Sequence, residues 1–178
     1  MRYVDIKGTD IKASRIALGC MRISKKSVEE VEVIRFTVYG EPQGKGRPRF
    51  VARYNPATQK SFGQAHTPEK TVVYENLIRT EYSIQTKNFR YPDDAMLDMR
   101  ILAFYGVPKS VSKKRKALML DGIIRPIKKP DQDNVIKVVA DSLNQVAYKD
   151  DTQIVDCQCR KFYSEKPRIE VTILQAGG

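Results

Sequence analysis

The chain has 178 residues, enough for one domain with a sizeable core, and 41 % of them are hydrophobic and 30 % charged. Lys and Arg outnumber Asp and Glu by 32 to 21, and the net charge of +11 favours a polyanionic partner. No apolar run is long enough for a membrane span, and no secretory pattern opens the chain. Three cysteines (Cys20, Cys157, Cys159) and one histidine (His66) supply neither a disulfide framework nor a standard zinc site. A cytoplasmic protein without a membrane partner is expected.

Residues 1–27 look foreign to the rest. Gly8-Thr9-Asp10 and Ser14-Arg15-Ile16-Ala17-Leu18-Gly19-Cys20-Met21 resemble the opening hairpin of an aldo/keto reductase, over residues 1–24. The barrel and catalytic residues of that family are absent, so the segment is read as a fusion or leader, with a locally packed extra hairpin as the alternative. Residues 28–178 then form the working domain.

The body opens with Ile34, Phe36 and Val38 alternating with Arg35, Thr37 and Tyr39, the period of a half-buried strand. Gly40 to Phe50 is broken by glycines and prolines and is expected to be a loop. Thr67-Pro68-Glu69 starts a helix, with Thr67 as N-cap and Val73, Leu77, Thr80 and Ile84 as its stripe. Leu97, Met99, Ile101 and Ala103 mark the next strand. Ser112 caps a short basic helix from Lys113 to Leu120, closed by Gly122. A further helix carries Val135, Val138, Val139, Ser142 and Val146 inward, while Asp133, Lys137 and Asp141 recur every four residues on another face. The chain closes with a hairpin, Val155, Cys157 and Cys159 on one strand and Ile169, Val171 and Ile173 on the other. The cysteine pair reads as small core residues, and His66 is assigned no chemistry. Strand, helix, strand, helix, helix, strand, strand indicates an α/β (α+β) single domain, a mixed β-sheet packed with helices.

The chemistry is concentrated in Lys129-Pro130-Asp131-Gln132-Asp133-Asn134-Val135-Ile136-Lys137 and in Asp150-Asp151-Thr152-Gln153-Ile154. Gathered carboxylates repel one another, and a hard cation such as Mg²⁺, which takes oxygen ligands, relieves that repulsion. The competing account is ordinary: an acidic residue caps a helix, and two aspartates make a turn before a strand. One aspartate fits that account better than two flanking Gln132. Lys45, Arg47, Arg49 and Arg53, interleaved with Phe50 and Tyr54, suit a flexible loop that grips phosphates and stacks on bases. Lys113, Lys114, Arg115 and Lys116 suit a second contact along a DNA arm. For both basic segments a solvated surface is the plain alternative.

The acidic motif, with Asp141, Leu143 and Asp150-Asp151-Thr152-Gln153-Ile154, resembles the RusA-type Holliday junction resolvases. Gly40-Glu41-Pro42, Lys45, Arg47-Pro48-Arg49-Phe50 and Pro167-Arg168-Ile169-Glu170-Val171 extend the likeness over residues 31–174. The resemblance implies a RusA-like fold and a small homodimeric Mg²⁺-dependent endonuclease of phage or prophage origin, with Mn²⁺ as a substitute metal, acting on four-way DNA junctions in recombination and repair. It places the metal on Asp131, Asp133 and Asp151 and an active-site lysine at Lys137, while Asp141 either orders Lys137 or stands behind the ligands. Two rival readings stay open: a non-catalytic DNA-binding module whose aspartates cap a helix, and a nuclease acting on flaps or forks.

Overall fold

The computed structural model describes residues 3–5, 12–14, 32–56 and 60–176. Contacts divide the chain into Met1–Val31 and Glu32–Gly178. In the first unit β1 (Tyr3–Asp5) and β2 (Lys12–Ser14) pair antiparallel, with Tyr3 opposite Ser14. The reductase-like stretch from Arg15 to Met21 and Cys20 lie outside the described residues.

The second unit is a mixed α+β domain. Its elements are β3 (Ile34–Tyr39), β4 (Arg49–Asn55), β5 (Lys60–His66), α1 (Glu69–Thr86), β6 (Leu97–Gly106), α2 (Lys113–Leu120), α3 (Gln132–Leu143), a 3₁₀ turn (Asp151–Gln153), β7 (Ile154–Ser164) and β8 (Arg168–Gln175). Four strands form one sheet in the order β3-β8-β6-β7. β8 runs antiparallel to both β3 and β6, and β7 runs parallel to β6. Alternation dictates the faces. Leu97, Met99, Ile101, Ala103 and Tyr105 of β6, Ile169, Val171 and Ile173 of β8, and Phe36 and Val38 of β3 are buried under α1 and α3. Val135, Val138, Val139, Ser142 and Leu143 form the inner side of α3, and all are fully buried.

Four expectations are corrected. β7 and β8 follow one another in sequence but are not paired, because β6 lies between them and only residues 165–167 connect the two. The cysteines are therefore not a core pair: β7 is an edge strand, Cys157 is exposed and Cys159 half-buried. A register shift opposite Leu97 also turns Val155 outward. The third correction concerns α1, which buries Thr71, Tyr74, Ile78 and Tyr82 and leaves Val73, Leu77 and Ile84 facing out. The fourth concerns the presumed flexible loop. Arg49–Asn55, which includes Arg53 and Tyr54, is paired antiparallel with Lys60–His66 in a separate two-stranded sheet. The basic helix agrees with its reading: the Ser112 hydroxyl accepts from the Arg115 amide, and Gly122 closes the turn at φ +75°.

Candidate nucleic-acid cleavage site

Asp131 is the N-cap residue of α3 by backbone conformation, yet its carboxylate accepts no capping hydrogen bond. The ordinary role for an acidic residue here is thus not taken up, and the exposed side chain faces two basic clefts. One cleft, of about 660 Å³, is walled by Lys45, Arg47, Lys129 and Asn134, the other, of about 410 Å³, by Lys128, Arg160 and Lys161, and Asp131 lines both. Asp133 lies exposed in the first turn of α3. Lys137, one turn further on, is exposed as well.

The start of α3 is braced from two sides. The Lys161 ammonium donates to the carbonyls of Lys128 (2.6 Å) and Pro130 (2.9 Å), and the Gln132 amide donates to the Cys159 carbonyl (2.8 Å). On the other side the Pro42–Gly46 strap crosses the helix. The Lys45 amide donates to the Asn134 carbonyl at 2.9 Å. A Cβ on Gly44 would come within 2.7 Å of Pro130 Cβ and 2.9 Å of Asn134 Cβ, so the crossing requires glycine.

Lys45 is not on a free loop, which corrects the expectation for its surroundings. Its half-buried ammonium lies 2.5 Å from Glu75 and 2.8 Å from Asp141. Burial lowers its pKa, and the two carboxylates more than offset this, so the group stands above the ordinary lysine value. Asp141 thus pairs with Lys45 of the strap. Arg47 is exposed beside the larger cleft; Arg49 opens β4, and its side chain is outside the described residues. Lys113, Lys114 and Arg115 are exposed on α2, whereas Lys116 is half-buried and pairs with Glu165 at 2.8 Å.

The two neighbouring aspartates before β7 divide their tasks. Asp150 accepts from the Thr152 amide (3.0 Å), which holds its carboxyl below the usual range. Asp151 is half-buried at the start of the 3₁₀ turn, and its pKa is raised by burial and by the charges of Asp150 and Asp141. The turn is pinned by Gln153, whose amide donates to the carbonyls of Pro92 (2.8 Å) and Ala95 (3.1 Å). The return from α3 is anchored by the Tyr148 hydroxyl, which donates to the Ala140 carbonyl at 2.9 Å.

Asp151 feels the charge of Asp141, and Asp133 lies on α3 eight residues before Asp141. Among the described residues no three acidic, histidine or cysteine side chains converge on one point. Asp131, Asp133 and Asp151 are not brought together as a closed cage. The donors still suit a hard divalent ion, which meets protein through one or two carboxylates and completes its shell with water and substrate phosphate. Crowded charge at Asp151 is the kind that a cation relieves.

Sequence reasoning missed the smaller basic cleft. Its signal was present in Arg125, Lys128 and Lys129 immediately before the acidic motif, but Arg160 and Lys161 join them only through the fold. In comparison with known proteins, the family model of endodeoxyribonuclease RusA matches residues 39–174. An uncharacterised protein of Bacillus subtilis (strain 168), YqaN, is 40 % identical over 151 residues, which cover 80 % of this chain and 96 % of that protein. The likeness of residues 1–24 to an aldo/keto reductase gains no support from these matches. With the acidic motif at the head of α3, the strap before it and all but the last residue of β8 inside the matched span, the chain belongs to the RusA endodeoxyribonuclease family.

Proposed function

We propose that this protein is a Mg²⁺-dependent, structure-selective endonuclease that resolves four-way DNA junctions by paired phosphodiester hydrolysis, in DNA recombination and repair. The observation that carries the reading is Asp131: a family-motif carboxylate left uncapped by its own helix and set between two basic clefts. Asp131, Asp133 and Asp151 would hold the metal, Mg²⁺ or Mn²⁺ in its place, and the ion when bound polarises the scissile phosphate and makes a water nucleophilic at neutral pH. Lys137, exposed on the turn after Asp133, would meet the charge that builds on the phosphoryl oxygens. Arg47 and Arg49 beside the strap, and Lys113, Lys114, Arg115 and Lys116 on α2, would hold the DNA arms. Lys45 serves differently, by bracing the strap to Asp141 and Glu75.

A junction needs two cuts on opposing strands, and a homodimer with a two-fold axis would supply two equivalent sites. The working domain is taken as residues 28–178, with 1–27 a leader. The division of contacts supports a separate leading segment, though it falls four residues later, between Val31 and Glu32.

The test is cleavage of a labelled immobile-core junction, a flap and a linear duplex, with and without Mg²⁺. Wild type should make paired symmetrical cuts in the junction only when Mg²⁺ is present. Asp133→Asn should lower the rate at least a hundredfold while junction binding is kept or tightened, because one negative charge facing phosphate is removed. Undiminished Mg²⁺-dependent cleavage by this variant would sink the metal assignment, and preferred cutting of the flap would sink the junction reading.

A further inference from the structure

The smaller cleft runs along the β7 edge, between that strand and the loop that leads into α3. Four cations line it, Arg125, Lys128, Arg160 and Lys161, against the single carboxylate of Asp131. Lys161 is committed to the loop carbonyls, as described above. Arg125 is held differently. Its Nε donates to the Lys161 carbonyl at 2.8 Å, and its guanidinium lies 4.2 Å from the centre of the Phe162 ring. Phe162 in turn stacks on Phe104 with ring centres 5.7 Å apart, and Arg168 caps Phe104 at 4.1 Å. A guanidinium fixed by one hydrogen bond and an aromatic face has lost most of its freedom already, and its two terminal nitrogens make no hydrogen bond among the described residues. That is a preorganised fork of the kind that matches phosphate oxygens. Arg160, on β7, is exposed, and its side chain has neither ion pair nor hydrogen bond among the described residues.

We propose that this cleft is a phosphate subsite in which Arg125 and Arg160 grip the DNA backbone on the side of Asp131 opposite Arg47 and Lys129. The inference rests on the nuclease reading and extends it. A strand laid over Asp131 is held on both sides of the phosphate that is cut, so the reacting group is positioned by its neighbours. Lysines at these two places would neutralise charge but would not present a planar fork.

The experiment is a salt titration of binding to a fluorescent four-way junction by anisotropy, with the full chain and a chelator present so that no cleavage intervenes. Each lost phosphate contact removes roughly 0.9 from the slope of log K against log salt. Arg125→Gln with Arg160→Gln should weaken binding at least tenfold and make the slope shallower by roughly 2. Arg160→Gln alone, which breaks no internal bond among the described residues, should lower the slope by roughly 1 and covers the case in which the double variant folds poorly. Arg125→Lys should keep the slope and lose about threefold in affinity. A pair of neutralisations at Lys87 and Arg90, which line neither cleft, is the comparison for bulk charge. The proposal is overturned if the cleft variants bind like wild type, or if the Lys87 and Arg90 pair loses as much as they do. Wild type that neither binds nor cuts DNA would instead overturn the nuclease reading, and this subsite with it.

Discussion

Helices α1 and α3 lie against one another beneath the same sheet, yet they divide their surfaces differently. On α3 the aliphatic residues face in and the charged ones face out, as hydropathy alone would arrange them. On α1 two tyrosines are buried while Val73 and Ile84 stand 62 % and 69 % exposed. Tyr82 enters with its hydroxyl partnered, whereas the buried Tyr74 hydroxyl has no hydrogen-bond partner among the described residues. Tyr82 packs edge-on to Phe36 at 5.2 Å and donates to the Phe89 carbonyl at 2.7 Å, which turns the chain out of α1. A buried hydroxyl with a partner carries little penalty and brings a large ring into the core. Burial rank by residue type is thus a poor guide wherever the fold offers a waiting carbonyl.

Three substitutions grade this contrast. Val139→Asp should prevent folding, since it puts an unpaired carboxylate at a fully buried position, and circular dichroism should show no cooperative melt. The same change at Val73 should alter stability by no more than about 0.5 kcal/mol. A larger, concentration-dependent loss at Val73 would show that a second copy covers the outer face of α1. Tyr82→Phe should cost about 1 kcal/mol by chemical denaturation, the value of one buried hydrogen bond whose acceptor is left unpaired. No loss there would mean that ring packing alone places the tyrosine.

The smallest effect tests the 3₁₀ turn that follows α3. Asp151 has its pKa raised above 3.8 by burial and by Asp150 and Asp141, so the folded state binds this proton more readily than the unfolded chain. Stability then falls as pH climbs from 3.8 through the folded value, and the ionised group is a cost at neutral pH. In chelator at pH 7, Asp151→Asn should raise Tm by about 1–2 °C, and the gain should vanish below the unfolded carboxyl range. A lower Tm at pH 7 would mean that the carboxylate is needed for the 3₁₀ turn.

The legible parts of the sequence were those with a strong local period. β6 carries one unbroken pattern that the structure buries as read, and α3 buries its stripe from Val135 to Ser142, while Val146 lies past the helix end at Leu143 and is half-buried. The hairpin of β4 and β5 was not legible, because neither Arg49–Asn55 nor Lys60–His66 alternates cleanly between apolar and polar residues. The separation of β7 from β8 was hidden for another reason. A three-residue connection with Pro167 looks like any tight turn, and only long-range pairing with β6 reveals that it crosses a strand. At the site, the residue types pointed to phosphate chemistry, but not to which aspartates stand together. Lys45 meets both Glu75 and Asp141 across long stretches of chain, a pairing that no spacing rule announces.

The order β3-β8-β6-β7 has a consequence for biosynthesis. β8 is the last strand of the sheet to be made, and it is an interior one, with β3 on one side and β6 on the other. While the ribosome still holds the segment up to Gln175, β3 has no neighbour in the sheet, and the apolar faces of α1 and α3 lack the middle of their floor. The nascent chain is left with a helix pair and a parallel β6-β7 ribbon that wait for one strand. The sheet can be completed only once β8 has been made, and premature stops within residues 168–175 should yield no folded product, as protease resistance of the truncated chains would check.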